Sequence, residues 1–495
     1  MGAATSLSDV SIAELQKLLE SGAINSRDLV ELYASRIAEV NDELHAVIET
    51  DVPGALLVAE TLDRERAHGQ LRGPLHGIPL LVKDNYATSN MSSHLRTGAG
   101  SVCLAAGSHP AEDATVVAKL RAAGAIILGK TNQAEFSGAR GRHVPQGWSA
   151  RGGQTYGAYV KGQTACGSSS GSGVAAGLGL AAAALGTETA GSITCPASFG
   201  NVVGIKPTVG LTSRFGIVQI TARQDTAGPL ARSVGDAAVV LEGMAGRDVG
   251  MGRDNYTDAQ PWDRPPRYTQ ALNTSALRGK RIGVLWHEQG IGFGMDWWAN
   301  KRQIRRLFDA ALDDLRRAGA ELVDLLACLR SESRERAAEY SLEVLADIAE
   351  EEKPLLPAGG AEAWTAYMNR SKATGSFIRK PRRDQKLDGL VMYMDLAIAL
   401  ASAPGLPIVT VPMGGLGKDA QVVYSDDEDG ALPRLVVGAP GMPQGLSFVG
   451  EEWSEMELIG FAYAYEQVSQ RRGTLRPWVK LGSDLGDRIG EFGEL

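Results

Sequence analysis

Between Gly167 and Pro196 the chain reads GSSSGSGVAAGLGLAAAALGTETAGSITCP, a run of small residues with a serine-bearing glycine loop at each end. Side chains this small let backbones approach closely, so the segment belongs in a tightly packed interior. The composition predicts a buried helix over Gly171–Leu185. The loops carry a second implication. Backbone N–H groups in a glycine-rich loop come near a ligand, which is how a developing oxyanion is held. An exposed Ser in such a loop is a candidate nucleophile, inert until a base stands beside it.

At 495 residues and 44% hydrophobic, the chain can bury one large core or two ordinary ones. Its 22% of charged residues excludes wholesale disorder, and a net charge of −8 argues against nucleic acid as a partner. Sixty glycines, well above the ~7% usual share, suit a large α/β enzyme. The four cysteines, at 103, 166, 195 and 328, fit neither a zinc site nor a disulfide framework. They read as reduced thiols of an intracellular protein, with Cys166 and Cys195 placed to line a pocket beside the serine loops. No HExxH is present and the seven histidines are scattered, so metal catalysis has no support and no cofactor is expected. The start of the chain lacks a leader pattern, and Val174–Leu185 is too short to span a bilayer. These features point to a cytoplasmic protein, although Met1-Gly2 through Ser6 matches the myristoylation pattern in form.

Apolar residues at helical spacing predict helices through Ile12, Leu15 and Leu19, through Leu29, Tyr33, Ile37 and Val40, and over Gly54–His68. Ile78–Val82 reads as a buried strand ending at Lys83-Asp84-Asn85. Further strands are expected at Ala125–Leu128, Val202–Ile205, Ile282–Trp286, Leu322–Leu326, Leu390–Met392, Ile408–Val411 and Leu446–Val449. Helices are expected at Asp113–Ala122, Val234–Ala245, Ile304–Leu315 and Glu455–Val468, with a charged helical stretch over Arg330–Lys386 and an exposed loop or hairpin over Gln421–Pro433. Short buried strands alternating with helices imply an α/β layer architecture. No repeat and no long linker divides it, so residues 1–495 read as one large domain.

A lysine closing an apolar strand is ordinarily exposed at a sheet edge. Lys83 becomes a base only if burial lowers its pKa, which makes sense at a working site. Ser168, Ser169, Ser170 and Ser172 form the first loop, and Ser192 lies in the second, where the N–H groups of Thr189, Ala190, Gly191 and Ser192 can converge on one oxygen. Neither loop is followed by Gly-Lys-Ser/Thr, so neither is a P-loop. Gly167-Ser168-Ser169-Ser170-Gly171 matches the GxSxG elbow in form, but polar residues precede it and His287 is the only later histidine.

VKDN at 82–85, GSSSGSG at 167–173, GTETAGSITCPA at 186–197, GIKPTVGLTSR at 204–214 and QDTAGPLARSV at 224–234 resemble the amidase signature family. The likeness runs over almost the whole chain, and GWSARGGQT at 147–155 with CGSSSGS is most similar to the peptide amidase branch. That resemblance implies a central mixed β-sheet covered by helices on both faces, with a signature core over about 60–250 and a variable substrate-channel region over about 330–386. It also implies a Ser–cis-Ser–Lys triad, with Ser192 as nucleophile, Ser168 as bridging serine after a cis peptide bond, and Lys83 as base. The implied reaction is hydrolysis of a carboxamide through an acyl-enzyme, on peptide C-terminal amides or other small neutral carboxamides. Alternatives within the resemblance are the glutamine-hydrolysing subunit of an amidotransferase and a non-catalytic member of the fold. Three departures from the family pattern stand out: Ala190 where Gly is commoner, Thr194 where Arg is frequent, and an Arg330–Lys386 region shorter than in peptide amidases, followed by an atypical LDGLVMYMD segment at 387–395. The oligomeric state is not legible.

Overall fold

A computed structural model describes residues 6–89, 93–139, 144–248, 253–286, 299–325, 360–425 and 434–489. The first two helices, Ile12–Ser21 and Ser26–Leu44, each start on a reciprocal capping box, Ser11 with Glu14 and Asn25 with Asp28. These side chains satisfy N–H groups that a helix start leaves free. A third helix, Val52–Ala67, begins at Asp51, whose carboxylate accepts from Gly54 N–H.

An eleven-stranded mixed sheet forms the centre. From one edge it runs Val47–Thr50, Ile126–Thr131, Pro79–Lys83, Ala183–Glu188, Thr226–Ala231, Val203–Lys206, Ile408–Gly415, Pro443–Val449, Gly389–Tyr393, Arg281–Leu285, Glu321–Asp324. Pro79–Lys83 pairs in parallel with both its neighbours, whereas Ala183–Glu188 and Thr226–Ala231 pair antiparallel. The middle strands are buried along their whole length, as helices packed on both faces require. The architecture is the expected α/β one.

The small-residue segment departs from expectation. Its helix spans only Ser170–Leu178 and stops at Gly179, which takes φ 65°. The alanines that follow form the strand Ala183–Glu188, although alanine favours helix. Tertiary fit decides here: the strand pairs with Pro79–Lys83 on one side and Thr226–Ala231 on the other, and an added Cβ at Gly186 would lie within 2.8 Å of the Leu230 and Ser169 side chains. The strand Thr226–Ala231 was not expected at all. Of the charged Arg330–Lys386 stretch, Gly360–Asp384 is helical, and residues 326–359 lie outside the described residues. His287, Cys328 and the Met1–Gly2 pattern lie outside them too. In the acidic loop, Val423–Tyr424 pairs antiparallel with Val436–Gly438, and residues 426–433 are not described. Among the described residues no helix is long and apolar enough to cross a membrane.

Candidate active site

Lys83 is the last residue of a strand whose five residues are all buried. The parallel neighbour, Ala183–Glu188, runs alongside it, so Thr187 comes within reach of the lysine amine. Lys83 Nζ donates to Ser168 Oγ at 2.7 Å and to Thr187 Oγ1 at 2.8 Å. Asn85 Nδ2 also donates to Thr187 Oγ1, at 3.0 Å. With no exposure to water, the Lys83 pKa falls from 10.5 to about 7; burial is the cause, and the Asp225 and Glu188 carboxylates work against it. Holding the amine so disfavours its ammonium form by roughly 5 kcal/mol.

Burial alone does not single out this lysine. Lys130 and Lys206 are equally buried, and both are lowered to about 8 by burial. Lys206 Nζ, however, donates to the carbonyls of Leu406 and Pro207, and Lys130 to the Tyr86 carbonyl and Thr97 Oγ1. Lys83 instead faces a hydroxyl that lines a cleft. That cleft is bounded by Ser168, Thr187, Thr189, Arg214, Ile220 and Asp225 among others.

Ser168 follows a cis peptide bond, Gly167–Ser168. Ser192 lies two residues before the helix Thr194–Phe199 and is the most accessible of the three groups, 7% exposed against 2% for Ser168 and 0% for Lys83. The two serine loops meet through main chain, with Ser169 N–H donating to the Ser192 carbonyl at 3.2 Å. The structure thus joins Lys83 to Ser168 directly and brings the Ser192 loop against them. Among the described residues the Ser192 hydroxyl has no hydrogen bond to Ser168, a link that such sites commonly tighten only when substrate binds.

One expected oxyanion donor needs correcting. Gly191 N–H is already committed to Glu188 Oε1 at 2.8 Å. Glu188, at the end of its strand, also accepts from the N–H groups of Ile193 and Thr194, both at 2.7 Å, and from Thr194 Oγ1. A carboxylate suits this place because the start of a helix offers unpaired N–H groups. The N–H groups of Thr189, Ala190 and Ser192 keep no acceptor among the described residues. Ala190 fits without strain because the left-handed residue is Gly191, at φ 81°. Thr189 Oγ1 donates to Asp225 Oδ1 at 2.6 Å, and Asp225 also accepts from Ile220 and Thr221 N–H. Burial raises the Asp225 pKa against those hydrogen bonds.

Sequence reasoning missed Thr187, Glu188 and Asp225, although all three stand inside the motifs GTETAGS and QDTAGP. It also misread the cysteines. Cys166 and Cys195 form a disulfide, with Cα atoms 5.9 Å apart across 29 residues of sequence. Spacing alone gives no sign of it, because only the convergence of the two loops brings the partners together. Cys103 is a free, exposed thiol, as expected.

Glu188→Gln leaves a neutral oxygen and a donor where two carboxylate oxygens received three N–H groups. We expect it to lower unfolding free energy by about 2–3 kcal/mol, since buried N–H groups lose their acceptor. Urea denaturation checks this; unchanged stability would show that the carboxylate does not organise the loop.

Comparison with known proteins supplies the context. A family model described as Amidase matches residues 28–386. A putative amidase of Arthroderma benhamiae is 39% identical over 91% of this chain and 80% of its own length. One chain of the glutamyl-tRNA(Gln) amidotransferase of Thermosynechococcus vestitus is 33% identical over 92% of this chain and 98% of its own length. The X-ray structure of the native peptide amidase from Stenotrophomonas maltophilia superposes with a TM-score of 0.76 at 37% identity, covering 95% of this chain and 98% of that one. The matched span contains Lys83, both serine loops and the Glu188 cradle, and the chain belongs to the amidase family.

Proposed function

We propose that this amide hydrolase works through Ser192, Ser168 and Lys83. Neutral Lys83 draws a proton through the Ser168 hydroxyl as Ser192 Oγ attacks the carboxamide carbon. The tetrahedral oxyanion is held by the N–H groups of Thr189, Ala190 and Ser192. The proton returns along the relay to the leaving nitrogen, releasing ammonia or an amine, and water then hydrolyses the acyl-enzyme to a carboxylic acid. The observation that carries the reading is the fully buried Lys83 amine 2.7 Å from the Ser168 hydroxyl.

Peptide C-terminal amides and other small neutral carboxamides are the proposed substrates. Likeness to the peptide amidase supports this, and so does the charge of the cleft. Arg214, the cleft's cation, is already paired with Asp254 through Nε at 2.7 Å and Nη2 at 2.6 Å. Thr194, where an arginine is frequent in the family, spends its hydroxyl on Glu188. Neither residue therefore offers a free positive charge to a substrate carboxylate. A panel of peptide amides, fatty amides, aryl amides and glutamine tests the assignment. Turnover of peptide amides well above the rest is expected; turnover of long-chain lipid amides alone would contradict it.

A second reading, as the glutamine-hydrolysing part of an amidotransferase, is favoured by the 33% identity to a chain of such an enzyme. It requires glutamine hydrolysis that appears only in a larger complex. We further propose one domain over residues 1–495. The expectation of a cytoplasmic setting rests in part on reduced cysteines, a ground that the Cys166–Cys195 disulfide removes; cell fractionation tests it.

A further inference from the structure

The disulfide partners stand at the roots of the two serine loops. Cys166 lies two residues before Ser168, and Cys195 three residues after Ser192. Each is fixed to the local frame of its own serine. Cys166 N–H donates to Thr164 Oγ1 at 3.1 Å, and its carbonyl accepts from the Ser170 hydroxyl. Cys195 sits in the first turn of the Thr194–Phe199 helix, and its N–H donates to the Gly191 carbonyl at 2.8 Å. A bond between the two sulfurs therefore ties together the main-chain segments that carry the two serines.

The other ties between the two frames are non-covalent: Ser169 Oγ donates to the Thr187 carbonyl and accepts from its N–H, both at 3.2 Å, on the strand that leads into the Ser192 loop. One main-chain hydrogen bond, Ser169 N–H to Ser192 carbonyl, crosses directly. The two helices behind the loops touch where Gly173 meets Pro196 and Gly200, and where Gly177 meets Gly200. Proton relay between the Ser192 and Ser168 hydroxyls demands hydrogen-bond reach, and a misplacement of ~1 Å can cost about 100-fold in rate. A covalent tie beside both serines suits that demand.

We propose that Cys166 and Cys195 are positioning residues for amide hydrolysis, their disulfide holding the Ser168 and Ser192 loops at the separation the proton relay needs. The proposal rests on the Ser192–Ser168–Lys83 reading. Opening the bond takes two electrons from a dithiol. One reagent thiolate attacks a cysteine sulfur and expels the other as thiolate. The second reagent thiolate then displaces the first cysteine, leaving two protein thiols and a cyclic reagent disulfide. Both cysteines are only 3% exposed, so a small dithiol such as dithiothreitol is the reductant of choice.

The test compares oxidised enzyme, dithiothreitol-reduced enzyme and the Cys166→Ala/Cys195→Ala variant on one peptide amide, with cysteine states mapped by alkylation and mass spectrometry. Reduction is expected to lower kcat by about 10- to 100-fold with KM changed less than about twofold, and reoxidation by a small disulfide to restore it. The double variant is expected to show the same kcat and no response to either reagent. If that variant does not fold, the reduced wild-type enzyme, assayed below its Tm, decides alone. Unchanged kcat on reduction would overturn the proposal, even if Tm falls. So would active enzyme in which both cysteines are mapped as thiols. Failure of the underlying reading looks different: Ser192→Ala with the disulfide intact would then keep wild-type turnover.

Discussion

Replacing Lys83 with Met is expected to lower kcat/KM by roughly 10⁴-fold while the protein stays folded. Methionine keeps the length of the side chain and removes the amine, so the relay from Ser168 ends at nothing that can hold a proton. The fold should tolerate the change, because the site is fully buried and an apolar side chain carries no desolvation cost there. What activity survives comes from the oxyanion donors and substrate positioning. The wild-type pH profile follows from the same group. In the proposed relay Lys83 acts as a base only without its proton, and burial brings its pKa down to about 7. The neutral fraction grows as pH rises through that value, so kcat/KM climbs through about 7 and declines on acidification. Steady-state kinetics over that range, with circular dichroism on the variant, check both expectations. Near-wild-type turnover by folded Lys83→Met would show that the base lies elsewhere.

Ser192→Ala is expected to abolish turnover to a similar or greater degree, roughly 10⁴-fold or more in kcat. Loss of one oxygen removes the proposed nucleophile and leaves its frame in place. The Ser192 carbonyl still accepts from Ser169, the disulfide still joins the loops, and Glu188 still holds the N–H groups of Gly191, Ile193 and Thr194. Substrate binding should therefore persist, with the loss falling on kcat. Single-turnover kinetics with equilibrium binding of a peptide amide separate the two. A folded variant with undiminished kcat would remove Ser192 from the chemistry.

What the sequence disclosed depended on how locally each feature is encoded. Pro79–Lys83 was legible because its apolar residues are contiguous and end on a charged residue. Thr226–Ala231 was not, since it carries Gly228 and Pro229 and lacks β-branched residues after Thr226. A proline in a central strand argues against strand, yet pairing with Val203–Lys206 covers only Leu230 and Ala231 and so spares Pro229. Ala183–Glu188 was hidden by helix propensity, which close packing overrides. In the site, Lys83, Ser168 and Ser192 stood out through motifs. Glu188 and the disulfide did not, because their roles exist only once a strand end and two distant loops converge.

The central claim, that Ser192 is activated by a neutral Lys83 through Ser168, is tested most directly by fluorophosphonate labelling with peptide mapping, run across a pH series. The account predicts one phosphonyl group, on Ser192, attached at a rate that rises with pH through about 7 in wild-type enzyme and collapses in Lys83→Met. An adduct on another residue, or labelling of Ser192 at a rate indifferent to both pH and Lys83, would contradict it.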